Sequence, residues 1–294
     1  MNALSVPLLA LVLAAAVTTA RAAATGSSPT PPPYPALTIA NTQLRALPRA
    51  ANGRDYLLYV SLPASYDKDP QRHYPVMYVT DGYWDFPLLC AFKSNLVYDQ
   101  VIPDIIIVGI GYQGENPNYD VLRRYDLTPV ADATKDTNET TAGHAAEFLS
   151  VVEQEIVPFI EREYRADPAY RALGGSSVGG LFTLYALFAR PDFFQAYVAV
   201  SPGVDWGHQW IFRYEDEFAK SGRPLHARLF LTGASDEWPF LISSILSFNA
   251  QIKARSYDGF TYAWRLVDGE RHAGTKAEGY NRGIRFAFAP LAPK

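Results

Sequence analysis

One stretch of the sequence, RALGGSSVGGLFTLYALFA (residues 171–189), predicts how the chain folds. Residues 171–174 can end a β-strand, and the apolar run 178–189 favours a buried helix. Residues 175–179 match the pattern G-x-S-x-G, which puts a serine at the apex of a sharp turn from strand to helix. Because the match has this strand–turn–helix context, Ser177 is the candidate nucleophile.

Strand-like and helix-like segments alternate on both sides of this turn. Residues 105–110 are apolar on both faces and β-branched, as expected of a central parallel strand, and residues 145–164 have helical periodicity. This alternation predicts an α/β fold with a mainly parallel central sheet and helices on both faces. The serine turn at residues 175–179 is the one that the α/β-hydrolase fold uses. The other predicted strands are 56–62, 76–80, 196–200, 229–232 and 262–267.

The first 36 residues are predicted to precede the folded domain. Residues 1–24 form a predicted signal peptide, because residues 8–17 are apolar but too short to span a bilayer. The small-x-small pattern of a cleavage site follows at residues 20–22, although no Lys or Arg precedes the apolar run. Residues 25–36, rich in Pro, Ser and Thr, form a predicted linker, and one domain covers 37–294.

The composition narrows the class of protein and its expected location. Hydrophobic residues make up 48% and charged residues 19%, which is typical of a globular domain, and a formal net charge of −4 argues against nucleic acid as a partner. Cys90 is the only cysteine, so it is expected to be a buried apolar residue and no internal disulfide forms. Export without disulfides favours a bacterial periplasm or the medium, with no membrane insertion after the signal is removed.

No cofactor and no metal are expected. Residues 109–114 match G-x-G-x-x-G after a predicted strand, but a dinucleotide site needs a helix to begin there. Residues 115–118 are loop sequence instead. No set of His, Asp and Glu residues has the spacing of metal ligands.

A serine hydroxyl becomes a good nucleophile only when a base takes its proton. His272 lies in the loop 269–274, shortly after the last predicted strand, and in this fold the base follows the serine and the acid along the chain. His272 is therefore the candidate base. The remaining histidines are expected in turns, polar loops or at a helix start: His73, His144, His208 and His226.

An acid should orient the imidazole and stabilise its cationic form. The predicted strand 229–232 is followed by Gly233-Ala234-Ser235-Asp236-Glu237, and a carboxylate just past this strand satisfies the chain order. Asp236 is the first choice, and Glu237 is the alternative because a shift of one residue in the loop would exchange the two.

The oxyanion of an acyl-transfer intermediate needs two backbone N–H donors. Val178, the residue after the candidate nucleophile, should supply one. The other should come from the loop after the predicted strand 76–80, near Gly82 and Tyr83.

Four short stretches occur in a characteristic order and spacing: YPVMYVTDG (74–82), VGIGY (108–112), RYDLTP (124–129) and GGSSVGG (174–180). With His272, they make residues 54–274 resemble the esterase D family of α/β-hydrolases, which includes enterobactin esterases and the antigen 85 mycolyltransferases. The resemblance implies catalysis by Ser177, Asp236 and His272 without a cofactor, and Tyr83 as the second oxyanion donor. Some siderophore esterases of this family are described as working through serine and histidine with little help from an acid.

The expected reaction is two-step hydrolysis of a small-molecule ester through an acyl-enzyme. Siderophore, feruloyl, acetylated-sugar and short acyl esters all remain open as substrates. The alternative is an acyltransferase, in which a sugar or alcohol replaces water. A non-catalytic binding protein on the same fold would be expected to have a broken triad, whereas here all three members have candidates.

Large side chains near the predicted strand ends are candidates for substrate contact. Trp84, Trp206 and Trp238 fall in or beside such loops and could line an acyl or aryl pocket, or pack loops over the core. Arg124, next to Arg123 and near Asp126, could grip an anionic substrate, although a structural ion pair is the favoured interpretation of this cluster.

Overall fold

The computed structural model describes residues 37–135 and 142–293. The predicted signal peptide (1–24) and linker (25–36) lie outside these residues. Ile39–Lys294 form one compact unit. In the described part of the chain, no helix has both the length and the apolar character needed to cross a bilayer.

A central sheet organises this unit, and within the described residues it has eight strands in the order β1-β2-β4-β3-β5-β6-β7-β8. β2 pairs antiparallel with β1 and β4, and all other neighbours are parallel, which confirms the predicted mainly parallel sheet. The strands are β1 Thr42–Ala46, β2 Tyr56–Ser61, β3 Tyr74–Val79, β4 Ile106–Tyr112, β5 Ala166–Ser176, β6 Ala196–Val200, β7 Arg228–Ala234 and β8 Thr261–Val267.

Helices cover both faces of the sheet. Helices α1 and α8 pack with one buried apolar cluster, and α3 to α7 contribute to the cluster on the other face. Cys90 is buried in the first of these clusters, as predicted. The helices are α1 Gly82–Tyr98, α2 Tyr119–Leu127, α3 Ala145–Val151, α4 Val157–Glu163, α5 Val178–Ala189, α6 Trp206–Lys220, α7 Pro239–Lys253 and α8 Thr275–Phe288.

The helix predicted over 145–164 is present, with a π-helical turn at Val152–Ile156 that joins α3 to α4. Pro158 lies at the start of α4 and has no N–H to donate to the carbonyl of Gln154. The helical hydrogen bond from residue 158 to residue 154 is therefore missing, and the wider π-helical turn lies at this break in the helical hydrogen bonding.

The G-x-G-x-x-G match has a structural explanation. Gly109 and Gly111 lie inside β4, and no helix begins until Tyr119. A Cβ on Gly109 would come within 2.9 Å of the Phe86 Cβ and 3.0 Å of the Gly82 Cα. The glycine therefore lets α1 approach β4 closely, which is a packing role.

The parallel strands β3, β5, β6 and β7 all point their carboxyl ends at one edge of the sheet. Ligand sites of open α/β sheets lie at this edge. The loops that leave it carry Asp81, Ser177, Ser201 and Glu237. The loop after β8, at the end of the same parallel set, carries His272.

Candidate active site

Ser177 occupies the turn between β5 and α5 with φ 58° and ψ −122°. Non-glycine residues rarely adopt such angles, and they persist only where surrounding contacts hold them. The Ser177 N–H donates to the Val200 carbonyl of β6 at 3.1 Å, and the Ser177 carbonyl accepts from the Gly203 N–H at 2.8 Å. Both bonds fix the turn that the sequence pattern predicts.

Two glycines make this turn possible. A Cβ on Gly175 would lie 2.3 Å from the Gly179 carbonyl oxygen, and a Cβ on Gly179 would lie 2.3 Å from Thr80 Oγ1. Any larger residue at either position would push β5 away from α5 or from the end of β3. Close contacts with backbone at Gly175 and with a side chain at Gly179 therefore explain the glycines of the motif.

The predicted oxyanion donors lie at two adjacent helix N-termini. Val178 is the first residue of α5 and Tyr83 the second of α1, so neither N–H has an intrahelical acceptor. Asp81, the residue just before α1, has left-handed backbone angles (φ 54°). Its carboxylate accepts two hydrogen bonds from the Arg123 guanidinium, at 2.8 and 2.6 Å. This buried ion pair anchors the α1 end of the site.

His272 has a carboxylate partner in Glu237. Its Nδ1 lies 2.7 Å from Glu237 Oε2, which also accepts a 2.5 Å bond from Ser201 Oγ. The Glu237 side chain is almost fully buried, and burial by itself would raise its pKa. The hydrogen bonds from His272 and Ser201 outweigh burial and hold the pKa of Glu237 below its ordinary value, so this carboxylate is ionised at neutral pH.

The expectation that Asp236 would face the base is wrong, and the alternative acid, Glu237, is the one that does. β7 continues through Ala234, so Asp236 falls in the turn and is exposed. Its N–H donates to the Glu270 carbonyl at 2.9 Å, and among the described residues its carboxylate accepts a side-chain hydrogen bond only from the neighbouring Ser235 hydroxyl, at 3.2 Å. One residue later, the chain turns inward before α7 and carries Glu237 to the imidazole.

A chain of contacts connects the nucleophile segment with the acid and the base. The Ser177 N–H donates to the carbonyl of Val200, which immediately precedes Ser201. The Ser201 hydroxyl donates to the Glu237 carboxylate, which also accepts from His272 Nδ1. Ser201 has φ 39°, the strained backbone of a tight turn after β6. The sequence analysis missed Ser201 because a serine after a strand matches no motif, and only the position of β6 between β5 and β7 gives it a role.

The predicted substrate-contact residues divide between surface and core. Trp84 is 42% exposed and lies with Tyr83 and Tyr119 in a group of aromatic rings. Trp238 is 54% exposed, and its ring centre lies 4.8 Å from that of His272. A cleft of about 550 Å³ borders the imidazole on this side, lined by Asp236, Glu237, Trp238, Pro239, Arg271, His272 and Ala273.

Of the two roles expected for Trp206, the structure supports packing over the core and contradicts substrate contact. Trp206 is 5% exposed, and its Nε1 donates to the Val130 carbonyl at 2.7 Å, so it packs a loop against the core. Arg124 is half-buried and stays a prediction, because its guanidinium forms no hydrogen bond within 37–135 and 142–293. The two neighbours of Arg124 in this cluster do form structural ion pairs, although not with each other. Arg123 pairs with Asp81, and Asp126 pairs with Arg54.

No group of three His, Cys, Asp or Glu side chains in the described ranges is arranged to hold a metal ion. The other described histidines have separate surroundings. His144 stacks on Tyr125 with ring centres 3.7 Å apart and bonds Glu147, and His226 packs beside Gly259. Neither has the buried carboxylate that His272 has.

This architecture is that of an α/β-hydrolase. Residues 50–234 match the family model described as "Putative esterase". The ferri-bacillibactin esterase BesA of Bacillus subtilis is 30% identical over 276 residues, which cover 88% of this chain and 93% of that protein. The chain thus belongs to this esterase family and is a carboxylic ester hydrolase.

Two further comparisons agree with this assignment. The siderophore triacetylfusarinine C esterase of Aspergillus fumigatus is 33% identical over 181 residues, 59% of this chain and 60% of that protein. The crystal structure of the BES protein from Bacillus cereus superposes with a TM-score of 0.78 at 26% identity, covering 88% of this chain and 98% of that one.

Proposed function

We propose that the chain hydrolyses siderophore esters through a Ser177–His272–Glu237 triad and an acyl-enzyme. The observation that carries the proposal is the 2.7 Å contact between His272 Nδ1 and Glu237 Oε2, at the sheet edge where Ser177 forms the elbow. With Nδ1 donating to Glu237, Nε2 is left to accept a proton. The buried, ionised Glu237 favours the imidazolium that then forms.

In the proposed reaction, His272 takes the proton of the Ser177 hydroxyl as its oxygen attacks the ester carbonyl. The N–H groups of Val178 and Tyr83 hold the negative oxygen of the tetrahedral intermediate. His272 gives its proton to the leaving alcohol and leaves an acyl group on Ser177. It then activates a water molecule, which releases the acid and restores the serine.

The siderophore part of the proposal rests on the relatives. The Bacillus subtilis and Aspergillus fumigatus proteins are both named for siderophore ester cleavage, and the first aligns with 88% of this chain. The exposed rings of Trp84 and Trp238 stand on the two sides of the site, on α1 and before α7. We assign both to contact with the substrate, because aromatic faces bind planar groups well.

A panel of esters tests this function. Purified protein is offered a cyclic tri-catecholate siderophore ester, with and without iron, a triacetylfusarinine-type ester, a feruloyl ester and p-nitrophenyl butyrate. We expect kcat/KM for a siderophore ester to exceed that for p-nitrophenyl butyrate by on the order of 100-fold. Ser177→Ala is the matched control. A feruloyl ester as the best substrate would contradict the siderophore assignment, and full activity of the control would contradict the triad.

We also propose that the chain is exported and that the mature protein begins within residues 23–25. Support comes from the apolar run at 8–17 and the small-x-small pattern that follows it. N-terminal sequencing of the protein from the periplasm or the medium checks this. An intact Met1 on protein that stays in the cytoplasm would contradict it.

A further inference from the structure

A second buried carboxylate lies beside the candidate site and has no part in the proposed reaction. Asp85, in the first turn of α1, is 0% exposed. Its Oδ1 accepts from Lys276 Nζ at 2.7 Å, and its Oδ2 accepts from Tyr280 Oη at 2.5 Å and from Ser176 Oγ at 3.2 Å. A carboxylate in such a place needs these donors, because an unpartnered buried charge is strongly unfavourable.

The partners of Asp85 come from the segments that carry the catalytic groups. Ser176 immediately precedes the nucleophile, and Asp85 itself follows the oxyanion donor Tyr83 by two residues. Lys276 lies in the first turn of α8, four residues after His272. Ser176 lies 91 positions from Asp85 along the chain, and Lys276 lies 191 positions from it. Both contacts therefore form only in the folded protein.

Two separate sets of contacts hold His272: Glu237 binds its side chain, and helix α8 holds the backbone that follows it. Glu237 holds the imidazole through one hydrogen bond at Nδ1, and the centre of the Trp238 ring lies 4.8 Å from that of the imidazole. The backbone of His272 continues directly into α8, where the Lys276–Asp85 pair is a polar attachment to α1. Displacement of α8 by about 1 Å would move the base away from Ser177, and misplacements of this size cost on the order of 100-fold in rate.

We propose that Asp85 and Lys276 are positioning residues that hold the base loop and the oxyanion end of α1 against the nucleophile elbow. The inference rests on the proposed triad. Burial of an ion pair contributes little to stability compared with an apolar pair of similar size. Its geometry is specific, however, because Lys276 must reach one oxygen of Asp85 while Tyr280 and Ser176 share the other.

The test separates positioning from stability. Asp85→Asn removes the buried negative charge and leaves the partly exposed Lys276 ammonium without its partner, so we expect a lower Tm and a fall in kcat on p-nitrophenyl butyrate. Adding Lys276→Met removes the stranded charge. The double variant should recover most of the Tm but keep kcat at least about tenfold below wild type, with KM within about threefold. Lys276→Arg, which can still reach Asp85, should keep kcat close to wild type.

Two results would overturn the proposal. A double variant with both Tm and kcat at wild-type values would mean that the pair only balances charge. Equal losses of kcat in Lys276→Arg and Lys276→Met would mean that the link to Asp85 has no role in positioning. Ser177→Ala is assayed beside them: if it stays active, the triad itself is at fault, whereas an inactive Ser177→Ala with a normal double variant refutes only the role of Asp85.

Discussion

The nucleophile side of the site and its acid–base side are built in different ways. Ser177 is placed by the backbone of a few consecutive residues, with Gly175 and Gly179 packed against neighbouring backbone and side chains. The proposed acid and base are side chains from separate loops, since Glu237 follows β7 and His272 follows β8. A local motif therefore identifies the nucleophile, whereas the identity of the acid depends on how a turn is oriented in three dimensions.

The largest expected effect is on the nucleophile side, where two serines adjoin. Ser177→Ala should reduce kcat by on the order of 10⁴-fold or more, because the attacking oxygen is lost. Ser176→Ala removes only one of the donors to Asp85 and should cost less than about tenfold. Steady-state kinetics on one ester compare them. If Ser176→Ala is the inactive variant, the turn has been assigned to the wrong serine.

On the acid–base side, Ser201 should show how far Glu237 depends on its support. Ser201→Ala removes the shorter of the two bonds to Glu237 Oε2 and leaves His272 as the other partner. Loss of a hydrogen bond to a charged group costs about 1.5–3 kcal/mol, so kcat should fall by on the order of 10- to 100-fold. Stopped assays of the wild type and Ser201→Ala at pH 8 measure the difference in kcat. An unchanged kcat would show that Glu237 is positioned without Ser201.

The aromatic residues allow the two sides to be compared in substrate contact. Trp84→Ala and Trp238→Ala should each raise KM for an aryl ester by up to about tenfold, and change KM for p-nitrophenyl acetate less. Trp206→Phe is the matched control, because its indole is buried and bonds Val130. It should lower Tm and leave KM within about twofold. A KM effect confined to Trp206→Phe would reverse these assignments.

The smallest expected effect is on stability and involves Asp126, which belongs to neither side of the site. It is fully buried with Arg54, Tyr56, Tyr112 and His144 around it, and burial raises its pKa to about 6. Since the folded pKa exceeds the ordinary value of 3.8, its stabilising contribution is fully present below about pH 3.8 and is lost as pH rises through 6.

Between pH 4 and pH 7, the free energy of unfolding of the wild type should therefore fall by about 1–3 kcal/mol relative to that of Asp126→Asn. Urea titrations at several pH values measure both proteins. Parallel curves for the two would contradict the raised pKa.

Most of the fold could be predicted from the sequence because its signals are local. The alternation of apolar strands with helical periodicity gave the parallel sheet, and the motif at 175–179 gave the elbow. The loop sequence after Gly109 and Gly111 argued against a nucleotide site, and the next helix after β4 begins only at Tyr119. The π-helical turn before Pro158 was not foreseen, since its position depends on how one missing N–H is accommodated.

The candidate site could be predicted where a local motif or the order along the chain determines it, as for Ser177 and His272. Asp236 and Glu237 are adjacent, and only the end of β7 and the inward turn before α7 decide which carboxylate is buried. The partners of Asp85 come from residues up to 195 positions away, so no local pattern contains them. For Trp206, the sequence left substrate contact and packing over the core both open, because its hydrogen bond to Val130 is likewise a tertiary contact.

The central claim is that Glu237 is the acid that holds the catalytic base. The most direct measurement compares kcat of Glu237→Gln and Asp236→Asn on one ester at one fixed pH. We expect Glu237→Gln to lose on the order of 10²- to 10⁴-fold, because the imidazolium loses its ionised partner. The exposed Asp236→Asn should stay within about threefold of wild type. A severely impaired Asp236→Asn beside a near-normal Glu237→Gln would contradict the account.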